Sequence, residues 1–363
     1  MIERISIKNY KSIHDATIDL GHLNVLIGSN GVGKSNFISF FELVNAMLNR
    51  RLGSFILERG GIDRFLYQGL KHSESIGGLL DFANTNAFHF RLKPTSDNKA
   101  YIESSGDYFN NKQDSTKDYD GKWHHTTWDN AVEESNIIQS QKWRAEYLRK
   151  FLKSFTVYHF HDTSITSTMR RECNVNDNEA LRHDASNLAS YLYRLQEKDP
   201  RDFRLIEGVV RSIAPYFKNF KLHPGRLNPE KIKLEWEEKD SDTYLDANSF
   251  SDGTLRFIAL TTLLLQPSLP ETIIIDEPEL GLHPTAINKF AALVKRASKE
   301  SQVILATQSV NLVNCFEPKD IIVVDRKGQQ SVFNRLEQTA LEQWIDDYNM
   351  GDIWEKNIIG GQP

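Results

Sequence analysis

The stretch that most narrows what this chain can become is Gly28 to Ser35, reading GSNGVGKS. It follows the apolar run Leu23-Asn24-Val25-Leu26-Ile27 and precedes Phe37-Ile38-Ser39-Phe40-Phe41-Glu42-Leu43-Val44, whose apolar density is that of a buried helix. Strand, glycine loop and helix in that order are the setting a phosphate-binding loop needs, and an ordinary glycine-rich turn lacks it. Glycines at 28, 31 and 33 let the backbone turn tightly and aim successive N–H groups inward. The new helix adds the positive end of its dipole. Lys34 would reach the β and γ phosphates, and the Ser35 hydroxyl would ligate Mg²⁺.

With 363 residues the chain has room for one large domain or two ordinary ones. A net charge of -5 argues against a wholly basic nucleic-acid coat, so any DNA contact is expected at a local basic patch. No apolar run approaches the roughly 20 residues that span a bilayer. The start MIERISIKNYKSI is charged where a signal peptide is apolar, so the expectation is a cytoplasmic protein without membrane contact. Cys173 and Cys315 are far apart and make no metal spacing, which favours free thiols.

Ile2, Ile5 and Ile7 alternate loosely, and Ile13, Ala16, Ile18 and Leu20 follow a polar break, giving two expected strands before Leu23–Ile27. Lys11, between them, is either a second phosphate contact or a solvated turn lysine. Arg50-Arg51 read as complements to a helix C-terminus, and Gln68 as one glutamine that could touch metal or water. Residues 95–142 are rich in Ser, Asp, Asn and Lys, with Trp123 and Trp128 as apolar anchors: an insertion carrying a β-hairpin, or an arm. Arg144, Arg149 and Lys150 belong to an expected helix with Tyr147, Leu148, Phe151 and Leu152.

SFTVYHFHD, Ser154 to Asp162, has strand composition, with His159 and His161 on one face; hydrogen-bonded histidines and a metal pair with Asp162 are the two readings. Asp177-Asn178-Glu179 would cap a helix holding Leu181, Leu188, Leu192 and Leu195, and Ile206, Val209, Val210 and Ile213 mark another. Lys231 to Glu237 alternates as one strand.

Ile273-Ile274-Ile275-Asp276-Glu277-Pro278 is an apolar run ending in two acids, as a buried strand reads when its end faces a ligand. Asp276 would hold Mg²⁺ through its water shell, and Glu277 would accept a proton from an attacking water. Upstream, Ser249 to Arg256 is a small polar loop before an apolar helix and offers hydroxyls and N–H groups to phosphate. Downstream, Val303 to Ser309 is another buried strand whose polar end turns Gln308 toward the γ-phosphate or the water. Ile321 to Asp325 completes a parallel core.

Glycine loop, long insertion, SDGT helix, DEP strand with ELGLHP and TQS strand, in that order, resemble the RecF/SMC-type ABC ATPases. Within them the chain looks like the small RecF-like ATPases, which include subunits of bacterial defence modules and are similar to the ATPase half of overcoming-lysogenization-defect (OLD) nucleases. NYKSI, YHFHDTS and GDIWEKNIIGGQP extend the likeness over almost the whole chain. It implies an α/β fold: a P-loop NTPase built as an ABC-ATPase head, with a mixed and parallel sheet core, an N-terminal antiparallel β portion and a helical lobe. One ABC-type domain over 1–363 is expected. Within it lie the polar insertion at 95–142, a helical and strand lobe at 150–248, a signature, Walker B and switch core at 249–330, and a tail at 331–363.

Carried over by position, the resemblance puts Asn30, Gly31, Val32, Gly33, Lys34, Ser35 and Asn36 at the ATP-binding loop. Ser251, Asp252, Gly253 and Thr254 stand at the ABC signature, which contacts ATP held by the other subunit and so implies a head-to-tail homodimer around two ATP molecules. Asp276 and Glu277 match the Walker B aspartate and the catalytic glutamate. SDGT replaces the transporters' SGGQ, and Gln308 replaces a common histidine; glutamine cannot shuttle protons as imidazole can, so slow hydrolysis is implied.

There is no long heptad segment, and some 38 residues after Asp325 leave no room for a TOPRIM nuclease, so cleavage would fall to another chain. The first functional expectation is an ATP-driven switch, with ATP and Mg²⁺ as cofactors, controlling a nuclease or toxin effector or DNA in defence or genome maintenance. Alternatives are an ATP-bound scaffold with little turnover and a RecF-like DNA clamp. The tail from Leu341 to Ile359, with Trp344 and Trp354, is expected to pack on the core or to dock a partner.

Overall fold

Ile2, Ile5, Ile7 and Tyr10 are the buried apolar side chains of β1 (Ile2–Tyr10). The three-residue step from Ile2 to Ile5 arises because pairing with the neighbouring strand β4 (Ile76–Phe82) shifts register between Ile2 and Arg4, and the step from Ile7 to Tyr10 spans Asn9, whose φ is 55°. A bulge at the first step turns the later residues to the inner face, which is why the sequence alternates only loosely. The computed structural model describes all residues except 83–85, 110–123, 138, 142, 153–154, 242, 338–340, 342–343, 345–347 and 363. The side chains of His124, Trp143, Arg144, Tyr147, Lys150 and Phe151 also lie outside the description. The chain divides into two units: Met1–Val157 with Glu271–Ile274 and Ser301–Pro363, and Tyr158–Pro270 with Ile275–Glu300.

In the first unit β2 (Ile13–Asp19) pairs antiparallel with β1, and β5 (Asn86–Pro94), β6 (Ala100–Phe109) and β7 (His124–Val132) extend an antiparallel sheet of order β2-β1-β4-β5-β6-β7. The polar span 95–142 thus contributes the β6–β7 pair; Trp128 packs against the core, while Trp123 lies outside the described residues. A second sheet has the order β17-β16-β3-β15-β14-β8. Its strands are β3 (Leu23–Ile27), β8 (Thr156–Tyr158), β14 (Thr272–Asp276), β15 (Gln302–Thr307), β16 (Ile321–Lys327) and β17 (Gln330–Arg335). Tyr158, Ile275 and Asp276 are counted with the second unit. β3 runs parallel to β15 and β16, whereas β17 returns antiparallel as a hairpin.

Ten of the fifteen residues of α1 (Lys34–Leu48) are buried, too many for a helix with one covered face. Phe37, Phe40 and Phe41 join Ile5, Ile7, Phe88, Ile304 and Ile322 in one core, with the Phe37 and Phe41 rings edge to face at 5.3 Å. Each such ring contributes about 1.5–3 kcal/mol by leaving water. α2 (Leu52–Glu58) and α3 (Trp143–Leu152) add Leu52, Ile56, Ala145, Leu148 and Leu152 to that core. After the short α8 (Val310–Val313) and β17, the chain ends in α9 (Met350–Glu355). Trp354 there is fully buried and donates Nε1–H to Gly361 O at 2.5 Å, while Trp344 is 38% exposed.

The second unit is built on α6 (Asp252–Leu265), twelve of whose fourteen residues are buried. Alongside it are α4 (Leu188–Lys198), α5 (Pro200–Arg211) and α7 (Pro284–Ala297), with a small sheet of β10 (Phe217–Phe220), β12 (Glu235–Glu238) and β13 (Tyr244–Asp246). Trp236 stacks on Phe250 at 4.5 Å behind that sheet. β9 (Cys173–Asn174) pairs with β11 (Lys231–Ile232), so the stretch 231–237 is two strands serving two sheets instead of one strand.

Two further expectations are corrected. Of SFTVYHFHD only Thr156–Tyr158 is strand; His159 to Asp162 leave it because His159 N–H goes to His183 O and Arg256 takes the Phe160 and His161 carbonyls. The helix expected from Asp177 begins only at Leu188, because the Asn187 side chain ties down the preceding loop, donating to Asp177 O and Ala180 O and accepting from Arg182 N. Both cysteines are free thiols. Among the described residues no helix is long and apolar enough to cross a membrane.

Candidate functional site

Gly28 follows β3 directly, and a Cβ there would collide with Val324 O. Gly33 has φ 115° and opens α1, so the loop between them needs glycine on steric and conformational grounds. Lys34 is only 5% exposed, and its ammonium donates to two carbonyls of the loop itself, Gly28 O at 2.5 Å and Ser29 O at 2.9 Å. The loop thus curls around its own cation. Ser35 is exposed in the first turn of α1, and Asn30 and Gly31 are exposed at the loop's rim.

Two serines far from the loop in sequence hold it from behind. Ser331 Oγ donates to Val32 O at 2.5 Å, and Ser12 Oγ lies 2.7 Å from Ser331 Oγ. Asn36 donates Nδ2–H to Ser12 Oγ at 2.7 Å. Sequence reasoning missed both serines; Ser12 lies within NYKSI, but nothing local links it to Ser331. Lys11 donates to Ser39 Oγ at 2.8 Å beside the Tyr10 and Phe65 rings, and burial lowers its pKa. Gln68 donates to Gln329 Oε1 at 2.6 Å.

Gln308 follows Thr307, which pairs in parallel register with Ile27, so Gln308 and Gly28 leave the same edge of the sheet one residue past that pair. Parallel strands present ligands at this C-terminal edge.

In the second unit Asp276 ends β14 half-buried, and Glu277 follows with φ 43°. A left-handed glutamate costs of order 1 kcal/mol and marks a site where geometry outweighs comfort. Ser251 caps α6, accepting from Thr254 N at 3.2 Å, and exposed Asp252 pairs at 2.8 Å with Arg170, whose side chain is 6% exposed. A Cβ on Gly253 would strike Gly281 O. His161 feels both strand-end acids, yet burial, with help from His159 and Arg256, keeps its pKa below that of a free imidazole. Among the described residues no group of three His, Cys, Asp or Glu side chains could hold a metal, which leaves the His159/His161/Asp162 reading without a complete ligand set.

A glycine-loop helix on a parallel edge, acids at a strand end and a capped polar loop opening a second buried helix define a P-loop NTPase, a RecF/SMC-type ABC ATPase by class. The fold matches a solved Smc head bound to the C-winged helix domain of ScpA, with TM-score 0.61 at 16% identity over 95% of this chain and 99% of that one. An Smc head with an extended coiled coil, bound to the C-terminal domain of ScpA derived from Pyrococcus furiosus, gives TM-score 0.56 at 14% identity, covering 95% and 98%.

The chain belongs to the family described as "AAA domain, putative AbiEii toxin, Type IV TA system", matched over residues 23–314. It is 23% identical to the Old nuclease of Escherichia phage P2 over 383 residues, covering 93% of this chain and 61% of that protein. Over 147 residues it is 25% identical to the energy-coupling factor transporter ATP-binding protein EcfA2 of Staphylococcus epidermidis, 38% of this chain and 50% of that one. It therefore spans less than two thirds of either relative.

Proposed function

We propose that this protein is an ATP-hydrolysing switch. The observation that carries the reading is the loop of Gly28 to Ser35: a buried lysine held on loop carbonyls at the start of a long buried helix, which an anionic polyphosphate can draw toward itself. Asn30, Gly31, Val32, Gly33, Lys34, Ser35 and Asn36 bind the phosphates, with Lys11 as a further cation once it leaves Ser39. Ser35 and Asp276 would hold Mg²⁺, which when bound would neutralise phosphate charge. Glu277 takes the proton of the attacking water, and Gln308 orients that water.

Ser251, Asp252, Gly253 and Thr254 meet the ATP of a second copy, so ATP closes a head-to-tail homodimer and hydrolysis reopens it. The closed form controls a partner effector, a nuclease or toxin, in defence or genome maintenance. Likeness to the Old nuclease, of which this chain spans 61%, supports the view that a nuclease acts with this ATPase. Glutamine at 308 favours slow turnover.

The test is the Glu277→Gln protein. With ATP and Mg²⁺ it should elute as a dimer and release phosphate at least about 100-fold more slowly than wild type, as loss of a general base requires. A wild-type protein without ATPase activity, or a variant that stays monomeric with ATP, sinks the switch.

A further inference from the structure

The serine pair behind the nucleotide loop does more than fill space. Ser331 has one hydroxyl proton, and it is given to Val32 O. The contact between Ser12 Oγ and Ser331 Oγ must then use the Ser12 proton, and Ser12 in turn accepts from Asn36 Nδ2–H. The chain of donors has one direction: Asn36 to Ser12, Ser12 to Ser331, Ser331 to Val32. The backbone closes it, since Ser331 N–H donates to Ser12 O at 2.8 Å. Ser331 is 1% exposed, so water does not readily replace its hydroxyl.

Val32 O is the carbonyl of the peptide that joins Val32 to Gly33. Among the described residues no peptide bond is cis. In a planar trans peptide N–H and C=O point in opposite directions. Pinning Val32 O toward the serines therefore aims Gly33 N–H the other way, away from them. Gly33 also needs its missing Cβ here, because a side chain would occupy the place of both hydroxyls. The same chain fixes Asn36: with Nδ2 spent on Ser12, its Oδ1 is left as an acceptor in the first turn of α1.

Resting on the ATP-binding reading above, we infer that Ser331 and Ser12 are positioning residues that set Gly33 N–H for the polyphosphate. Ser331 acts directly on the peptide, and Ser12 acts through Ser331. They link the loop to the turn between β1 and β2 and to the start of β17, two places already joined by the Ser331 N–H to Ser12 O bond.

The experiment compares ATP, ADP and AMP binding by calorimetry for wild type, Ser331→Ala, Ser12→Ala and Ser331→Thr. A misaimed donor matters only to a ligand whose phosphates reach the cage. Ser331→Ala should weaken ATP and ADP about 10-fold, the scale of one oriented hydrogen bond, and leave AMP within about twofold. Ser12→Ala, which keeps the Ser331 to Val32 bond, should cost about threefold. Ser331→Thr, which keeps the hydroxyl, should restore most of the loss. A merely structural role lowers the melting temperature of the free protein and leaves the ratio of ADP to AMP affinity unchanged; that outcome overturns the inference. If Ser331→Ala does not fold, the Ser12→Ala and Ser331→Thr ratios decide it in the same way. A wild-type protein that binds no ATP or ADP overturns the nucleotide reading and the relay together, whereas wild-type binding with unchanged variants overturns the relay alone.

Discussion

Arg256, one turn into α6, donates Nη2–H to the backbone carbonyl of His161 at 2.7 Å. The same guanidinium gives Nε–H to Phe160 O at 2.8 Å and Nη1–H to Leu280 O. At 7% exposure it is nearly sealed from water, and burial lowers its pKa, yet it keeps partners on two separate segments. One side chain therefore ties the helix that Ser251 to Thr254 open both to the loop after Glu277 and to the HFHD stretch.

Arg256→Ala should strand those carbonyls in the interior. Hydrogen bonds from a charged donor contribute about 1.5–3 kcal/mol each, so a loss of about 3 kcal/mol and a melting temperature lower by about 6–12 °C are expected. Arg256→Lys keeps the charge but cannot span all the carbonyls with a single ammonium, and should recover less than half. Scanning calorimetry of the variants decides it; a lysine variant as stable as wild type contradicts the clamp.

Lys34 makes a second prediction. Its ammonium is satisfied by Gly28 O and Ser29 O without ligand, so Lys34→Ala should fold and lose polyphosphate affinity by about 10- to 100-fold, the worth of one or two charge-assisted bonds. Lys34→Arg should not rescue it, because the larger planar fork does not fit a site that is 5% exposed. Equilibrium binding of a fluorescent ATP analogue measures both.

What could be read in the residue order follows from where the chemistry is local. Gly28, Gly33, Lys34 and Ser35 announce themselves because a phosphate cage demands glycines and a lysine at fixed spacing, and Ile273 to Glu277 because buried strands seldom end in two acids. The α/β core followed from such runs. Ser12 and Ser331 could not be paired by sequence, since their hydrogen bond joins residues 319 apart. HFHD failed as a strand for a similar reason: the carbonyls a ladder would use are taken by Arg256, some 95 residues away. Long-range side-chain capture of backbone groups leaves no periodic trace.

Glu207 on α5 gives a pH-dependent prediction. It is nearly buried, accepts from Phe220 N at 2.8 Å, and has its pKa raised, chiefly by desolvation, against the opposing pull of that bond and of Arg211. A carboxyl harder to ionise in the folded state favours unfolding once the pH passes its unfolded value, because the unfolded chain releases its proton first. The penalty grows from that pH up to the raised folded value and is constant beyond. Glu207→Gln keeps the acceptor for Phe220 N and removes the penalty, so the variant should match wild type below pH 4 and melt higher at pH 7. Equal melting temperatures at both pH values argue against a strained carboxylate.

The last prediction concerns the tail. Gly361 has φ 61°, and a Cβ there would sit against Val323 Cγ1 and Val324 O, with Gly28 Cα at 3.5 Å. Val324 O is also the atom that a side chain on Gly28 would strike, so the two glycines share one carbonyl at the back of the nucleotide loop. Trp354 Nε1–H holds the Gly361 carbonyl at 2.5 Å, fixing the turn in place. Gly361→Ala combines left-handed strain of about 1 kcal/mol with a push on Gly28. ATP affinity should fall about fivefold or more, while a cut after Asn357, which removes the turn altogether, should perturb the loop less than the alanine does. Binding curves for the two proteins check the order; alanine binding as tightly as wild type would mean that the turn rests beside the loop without bearing on it.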